Sequence, residues 1–145
     1  MIASRPITLA DLVRENRHMV ELRLATPSEL ASVTGDFDEI GPYKGFVKGW
    51  QIIAIHDHLK NSTTLHIVGS FSMRSWITSD VLMLATDRSF ARTRNSVYAL
   101  GRRAEAGLSI AHLRTVARAL KAWGLVEKYG LKILGDDELA EHDDA

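Results

Sequence analysis

A chain of 145 residues, 46% apolar and 25% charged, has the size and balance of one globular domain with one core, outside the low-hydrophobicity, high-charge regime of disordered segments. It contains no cysteine, which excludes disulfides, thiolate metal sites, iron–sulfur clusters and cysteine nucleophiles; with no signal-like N-terminus and no apolar run of about 18 residues, the expected location is the cytoplasm. The formal charge of zero is the sum of unequal parts: residues 1–87 carry eight Lys/Arg and ten Asp/Glu, residues 88–135 carry ten Lys/Arg against Glu105 and Glu127, and residues 136–145 carry six acids and no base.

Between Ile7 and about Leu24, the apolar positions Leu9, Leu12, Val13, Met19, Val20 and Leu22 lie among charges, with Thr8 placed to cap ahead of Asp11. This pattern predicts one amphipathic helix. Pro27 after Thr26, followed by Ser28-Glu29-Leu30-Ala31, predicts a second, short helix ending near Gly35. From Tyr43 to Leu100 the chain is rich in β-branched and aromatic residues, and four antiparallel strands are expected: Gly45 to Leu59, Thr63 to Met73, Ile77 to Thr86 and Phe90 to Leu100. Turns are expected at Lys60-Asn61-Ser62 and Asp87-Arg88-Ser89.

After Gly101 the period returns to helical: Leu113, Val116, Ala117, Leu120 and Trp123 form one face, Ser109 is the expected N-cap and Gly124 the C-terminal cap. Val126 to Leu134 adds a possible fifth strand. The expected fold is therefore α+β. It comprises an N-terminal helix or helix pair, a four- to five-stranded antiparallel sheet curled toward a small barrel, and a C-terminal amphipathic helix. Residues 1–135 would form the single domain and residues 136–145 a flexible acidic tail.

Three constellations could carry chemistry. His56 and His58 share a face of their predicted strand. If the apolar sets of adjacent strands lie on one side of the sheet, His66 joins them, giving three imidazoles and a possible zinc site with an open fourth position. A water-exposed sheet face tolerates histidines equally well. The second constellation is basic: Arg88, Arg92, Arg94, Arg102 and Arg103 with Phe90 and Tyr98 interleaved. On one continuous strand, Arg88, Phe90, Arg92, Arg94 and Tyr98 share parity and form a stripe suited to phosphates and stacked bases. The bland reading makes the rings core residues and the arginines a solvated edge.

The third is the segment from Leu108 to Val126, with Arg114, Arg118 and Lys121 on its polar face. It resembles the recognition helix and following turn of winged-helix DNA-binding proteins over about 25 residues. That resemblance implies a DNA-contacting helix and a wing at Val126 to Leu134. It departs from the family at Arg102 to Gly107, too short for the helix that should precede, and a packing helix would give the same pattern.

No Gly-rich phosphate loop, G-x-S-x-G, H-E-x-x-H or framed carboxylate pair occurs, so no catalytic residue is assigned. Asp36, Asp38 and Glu39 precede Gly41-Pro42 but lack the ligand spacing of a calcium loop. The expected function is a non-catalytic binding or regulatory protein with nucleic acid as partner. The tail's acids would compete for that surface. The alternative is a protein–protein adaptor or inhibitor docking through a sheet edge or helix, and the weakest reading is a metal-dependent hydrolase using the three histidines.

Overall fold

The computed structural model describes residues 7–36, 42–105, 107–135 and 137–139. Its first segment overturns the expected N-terminal helix. Leu9–Leu12 form a single 3-10 turn, closed where the Asp11 carboxylate accepts from the Thr8 backbone N–H (2.8 Å) and hydroxyl (3.0 Å). The chain then extends as β1 (Val13–Glu15), reverses at Asn16, which sits at φ +60°, and returns as β2 (Val20–Leu24). Val20 and Leu22 are buried while Glu21 between them is exposed, so the decisive period here is two. The predicted second helix forms as α1 (Pro27–Val33): Thr26 accepts from the Glu29 N–H (3.1 Å) and Glu29 accepts from the Thr26 N–H (2.9 Å).

Glu29 also receives both terminal nitrogens of Arg23, tying α1 to β2. The Arg23 hydrogen bond, helped by the Thr26 contacts and opposed by burial, lowers the Glu29 pKa from its ordinary 4.5 to about 2. A lowered folded-state pKa means that this stabilisation is complete above about pH 4.5 and is lost as pH falls toward 2. Glu29→Gln is expected to flatten the acid limb of stability against pH in that window, read from urea midpoints at pH 2.5 to 6. An unchanged limb would show that the pair contributes nothing to folding.

The sheet is larger and of mixed direction, which corrects the expected four- to five-stranded antiparallel arrangement. After β3 (Thr34–Gly35) come β4 (Gly45–Asp57), β5 (Ser62–Phe71), β6 (Arg74–Ile77), β7 (Val81–Ala85), β8 (Phe90–Thr93) and β9 (Val97–Leu100). The order is β3-β7-β8-β9-β4-β5-β6, with β2 also on β4, in one eight-stranded sheet; β3–β7 and β4–β9 are parallel. It does not close into a barrel.

Local hydrogen bonds explain why two predicted strands split. At Thr78 to Asp80, side chains replace the ladder: Thr78 Oγ1 accepts from the Ile67 N–H (3.0 Å) and Asp80 Oδ1 from the Leu65 N–H (3.1 Å). Between β8 and β9, Thr93 and Ser96 close a turn through Thr93 N–H to Ser96 carbonyl (2.7 Å).

One edge of the 13-residue β4 holds β9, then the run Gly101 to Ala104, then β2. In that run, Gly49 N–H donates to the Arg102 carbonyl (2.8 Å) and Ala104 N–H to the Trp50 carbonyl (2.9 Å). Two apolar layers result. Ile52, Ala54, Leu65 and Ile67 pack in one layer with Val47, Trp50, Tyr98, Leu84 and Leu30 of α1. Ile53, Ile55 and Val68 face the other layer. That layer contains α2 (Ile110–Ala122), α3 (Leu125–Tyr129) and β10 (Lys132–Ile133), which pairs with β1. The centre of β4 is thus buried on both faces, and its apolar run does not alternate.

α2 begins where the sequence places it, with Ser109 accepting from the His112 N–H (3.2 Å). Beyond Gly124, which is left-handed at φ +80°, α3 stands where a strand or wing was expected. Leu139 is fully buried in the α2 layer and Glu138 pairs with Arg14 at 2.9 Å, so packed chain continues beyond Gly135. Asp57, at the end of β4, accepts from the Tyr129 hydroxyl and from the Leu59 and Lys60 N–H groups. Burial would raise its pKa; these donors and the Lys128 charge outweigh it and hold the carboxyl below its ordinary value. Among the described residues, no helix is long and apolar enough to cross a membrane.

Candidate anion-binding groove

The three histidines do not converge. In the β4–β5 register Ile53 faces His66 and His56 faces Thr63, so His66 lies on the α2 side and His56 on the other. His66 is buried. The Thr78 carbonyl can only accept, so His66 Nδ1 carries the proton toward it (2.9 Å), and Nε2 accepts from the Thr64 hydroxyl (2.8 Å). The Trp123 indole lies 4.8 Å from its ring, and burial lowers its pKa against the opposing pull of Thr78 and Asp80. His56 and His58 touch edge to face at 4.5 Å, with His56 bonded to Thr63 and His58 3.7 Å from Glu21. Among the described residues, no group of three His, Asp or Glu side chains is placed to hold a metal. Asp38 and Glu39 lie outside the described residues.

The single-parity stripe also dissolves, because the Thr93–Ser96 turn separates Arg94 from Tyr98. Tyr98 pairs with Ala91 and faces the inner core, where its hydroxyl accepts from Trp76 Nε1 (3.2 Å). Phe90 pairs with Ala99 and lies with Arg92 on the opposite face. Both rings are buried, 7% and 3% exposed, and offer no face for a stacked base. Arg94 stands 3.8 Å from Asp80, and Arg102 3.2 Å from Glu105.

Arg88 and Arg103 do come together. Arg88 occupies the turn between β7 and β8 in the left-handed region at φ +63°, a conformation that costs a residue with a Cβ on the order of 1 kcal/mol. From there its Nη1 donates to Thr34 Oγ1 (2.8 Å), which itself donates to the Leu30 carbonyl (2.6 Å). Arg103 extends from the run beside β4. Its Nε donates to Gln51 Oε1 (3.3 Å), its guanidinium lies 5.3 Å from the Trp50 ring centre, and Gln51 is held by the Ala104 carbonyl (2.7 Å).

Arg88 and Arg103 border one groove of about 400 Å³, whose remaining described wall is Ala25, Pro27, Leu30, Ala31 and Thr34. Among the described residues, no carboxylate lines it. Of the described acids nearby, Glu29 is engaged by Arg23 and Asp87 by the Ser89 N–H and hydroxyl. Two arginines, each anchored by one hydrogen bond to a neutral side chain and bordering one space, could together hold an anion there. Thr34, Trp50 and Gln51 carried no signal in the sequence, since long-range pairing alone brings them to the arginines.

The α2 cations form a separate surface. Arg118 and Lys121 border a groove of about 640 Å³ opposite Lys132, which sequence reasoning missed, and Asp137 and Glu138 border the same groove. Arg114 is half-buried on the same helix. With α3 in the wing position and Leu113, Val116 and Leu120 packed on the sheet, α2 is a core helix with a charged flank. No family model matches the chain, and neither a curated protein nor a solved structure matches it.

Proposed function

We propose that this chain is a non-catalytic nucleic-acid-binding protein, anchored through the groove between α1 and the β7–β8 turn. One observation carries the reading: Arg88 and Arg103 each donate to a neutral side chain and border one groove that, among the described residues, no carboxylate lines. Counterion release on phosphate contact then supplies affinity despite the zero net charge. The test is binding of 5′-phosphorylated single- and double-stranded oligonucleotides across a salt series. Affinity should fall with salt. Arg88→Ala with Arg103→Ala should weaken it at least tenfold and reduce the single-strand salt slope by about 0.7 per lost contact. Arg92→Ala with Arg94→Ala should change it less, since these side chains lie apart from the groove. Absence of binding at low salt would overturn the reading.

A second reading, a protein–protein adaptor, is favoured by the groove between α2 and β10. Its floor includes Val126, Leu131 and Ile133, its rim is charged, and among the described residues β10 pairs only with β1. In that case the Arg88/Arg103 variant would keep its partner and Lys121→Glu with Lys132→Glu would lose it.

A further inference from the structure

We propose that the Arg88–Arg103 groove takes a phosphomonoester, such as the terminal phosphate of a nucleic-acid strand, rather than the internal diester backbone. The inference rests on the nucleic-acid reading for its source and on the groove alone for its chemistry.

A diester track needs cations in series, because each internal phosphate carries a single charge and the next lies one nucleotide along. The other arginines of the run from Arg88 to Arg103 provide no such series, and Arg118, Lys121 and Lys132 border a separate groove that Asp137 and Glu138 share. Arg92 lies on the outer sheet face, Arg94 beside Asp80 at the far turn, and Arg102 beside Glu105. The groove beside α1 itself offers one pair of arginines. A phosphomonoester carries between about 1.5 and 2 negative charges at neutral pH and three terminal acceptor oxygens, matching two guanidiniums that each still hold several free N–H donors. Thr34 Oγ1 and Gln51 Oε1 each accept from one of the two arginines without neutralising it. The wall of Ala25, Pro27 and Leu30 gives the ester substituent an apolar surface to lie on.

The experiment compares one fluorescent 10-mer bearing a 5′-phosphate, a 5′-hydroxyl or a 5′-phosphate methyl ester, with inorganic phosphate and glycerol 3-phosphate as competitors. The 5′-phosphate form should bind at least tenfold more tightly than the other two, and both competitors should displace it. Arg88→Gln, a change in an exposed turn, should abolish that preference; because the preference is read first on the unaltered protein, a misfolded variant does not remove the test. Equal binding of the phosphate and hydroxyl forms would overturn the monoester site while leaving the nucleic-acid reading standing. Binding of glycerol 3-phosphate with no 10-mer binding would support the site, assign it to a small phosphorylated molecule and overturn the nucleic-acid reading. If neither the phosphorylated 10-mer nor either competitor binds, the site is overturned.

Discussion

Trp50→Ala is expected to lower the unfolding free energy by about 3–5 kcal/mol, a large share of the roughly 5–15 kcal/mol available to a domain. The indole is 1% exposed in the inner core, and its Nε1–H donates to the Gly101 carbonyl at 2.8 Å. Truncation removes the apolar contacts, leaves a cavity between β4 and the Gly101 to Ala104 run, and strands that carbonyl. Trp50→Phe keeps most of the apolar volume and loses the donor, so its cost should be nearer 1–3 kcal/mol. Urea denaturation of both variants separates the two contributions; similar costs would mean that the hydrogen bond, not the packing, dominates. Since Arg103 lies over this ring, Trp50→Phe is also the milder probe of whether the aromatic platform positions the anion site.

Gly69→Ala should destabilise by about 3 kcal/mol, at the upper end of the overpacking range, although alanine in place of a strand glycine ordinarily gains about 0.5–1 kcal/mol. The sign reverses because a Cβ at Gly69 would meet Val47 Cγ1 at 2.7 Å, the Lys48 carbonyl oxygen at 2.9 Å and Trp50 Cα at 3.1 Å. Two of these three are backbone, which cannot swing aside. The crowding arises from the bulge at Gly49, φ +57°, where the β4–β5 register slips between Lys48 and Gln51 and β4 approaches Gly69 closely. The cost should appear in the urea midpoint with the denaturant slope unchanged. A neutral result would mean that the bulge shifts along β4 to make room.

The elements that were legible in the sequence are those whose signals are local. Thr26-Pro27 with Glu29, and Ser109 ahead of the Leu113–Val116–Leu120 face, are cap and period signals read within one or two turns, and α1 and α2 form there. Residues 7–24 failed because their apolar positions fit a helix and a pair of short strands alike, and only the β2–β4 ladder chooses between them. The histidine cluster failed for a related reason. Its parity reasoning needs a sheet with one buried face, whereas Ile52 to Ile55 are buried on both, so apolar residues no longer mark a side and His66 falls opposite His56. Of the basic residues singled out, Arg88 and Arg103 meet, but through neither the shared strand nor the shared parity that suggested them.

Composition and local pattern alone determined that this chain folds around apolar packing without disulfides, where α1 and α2 begin, and that positive charge concentrates after residue 87. The tertiary structure decided the eight-strand order, the unclosed mixed sheet, the two faces of β4 and the groove shared by Arg88 and Arg103. Helix caps act over a few residues, so the sequence carries them directly. Which strand lies beside β4, and therefore which distant side chains share a space, depends on pairings such as Trp50 with Arg103, whose free energy resides in contacts that no local window contains.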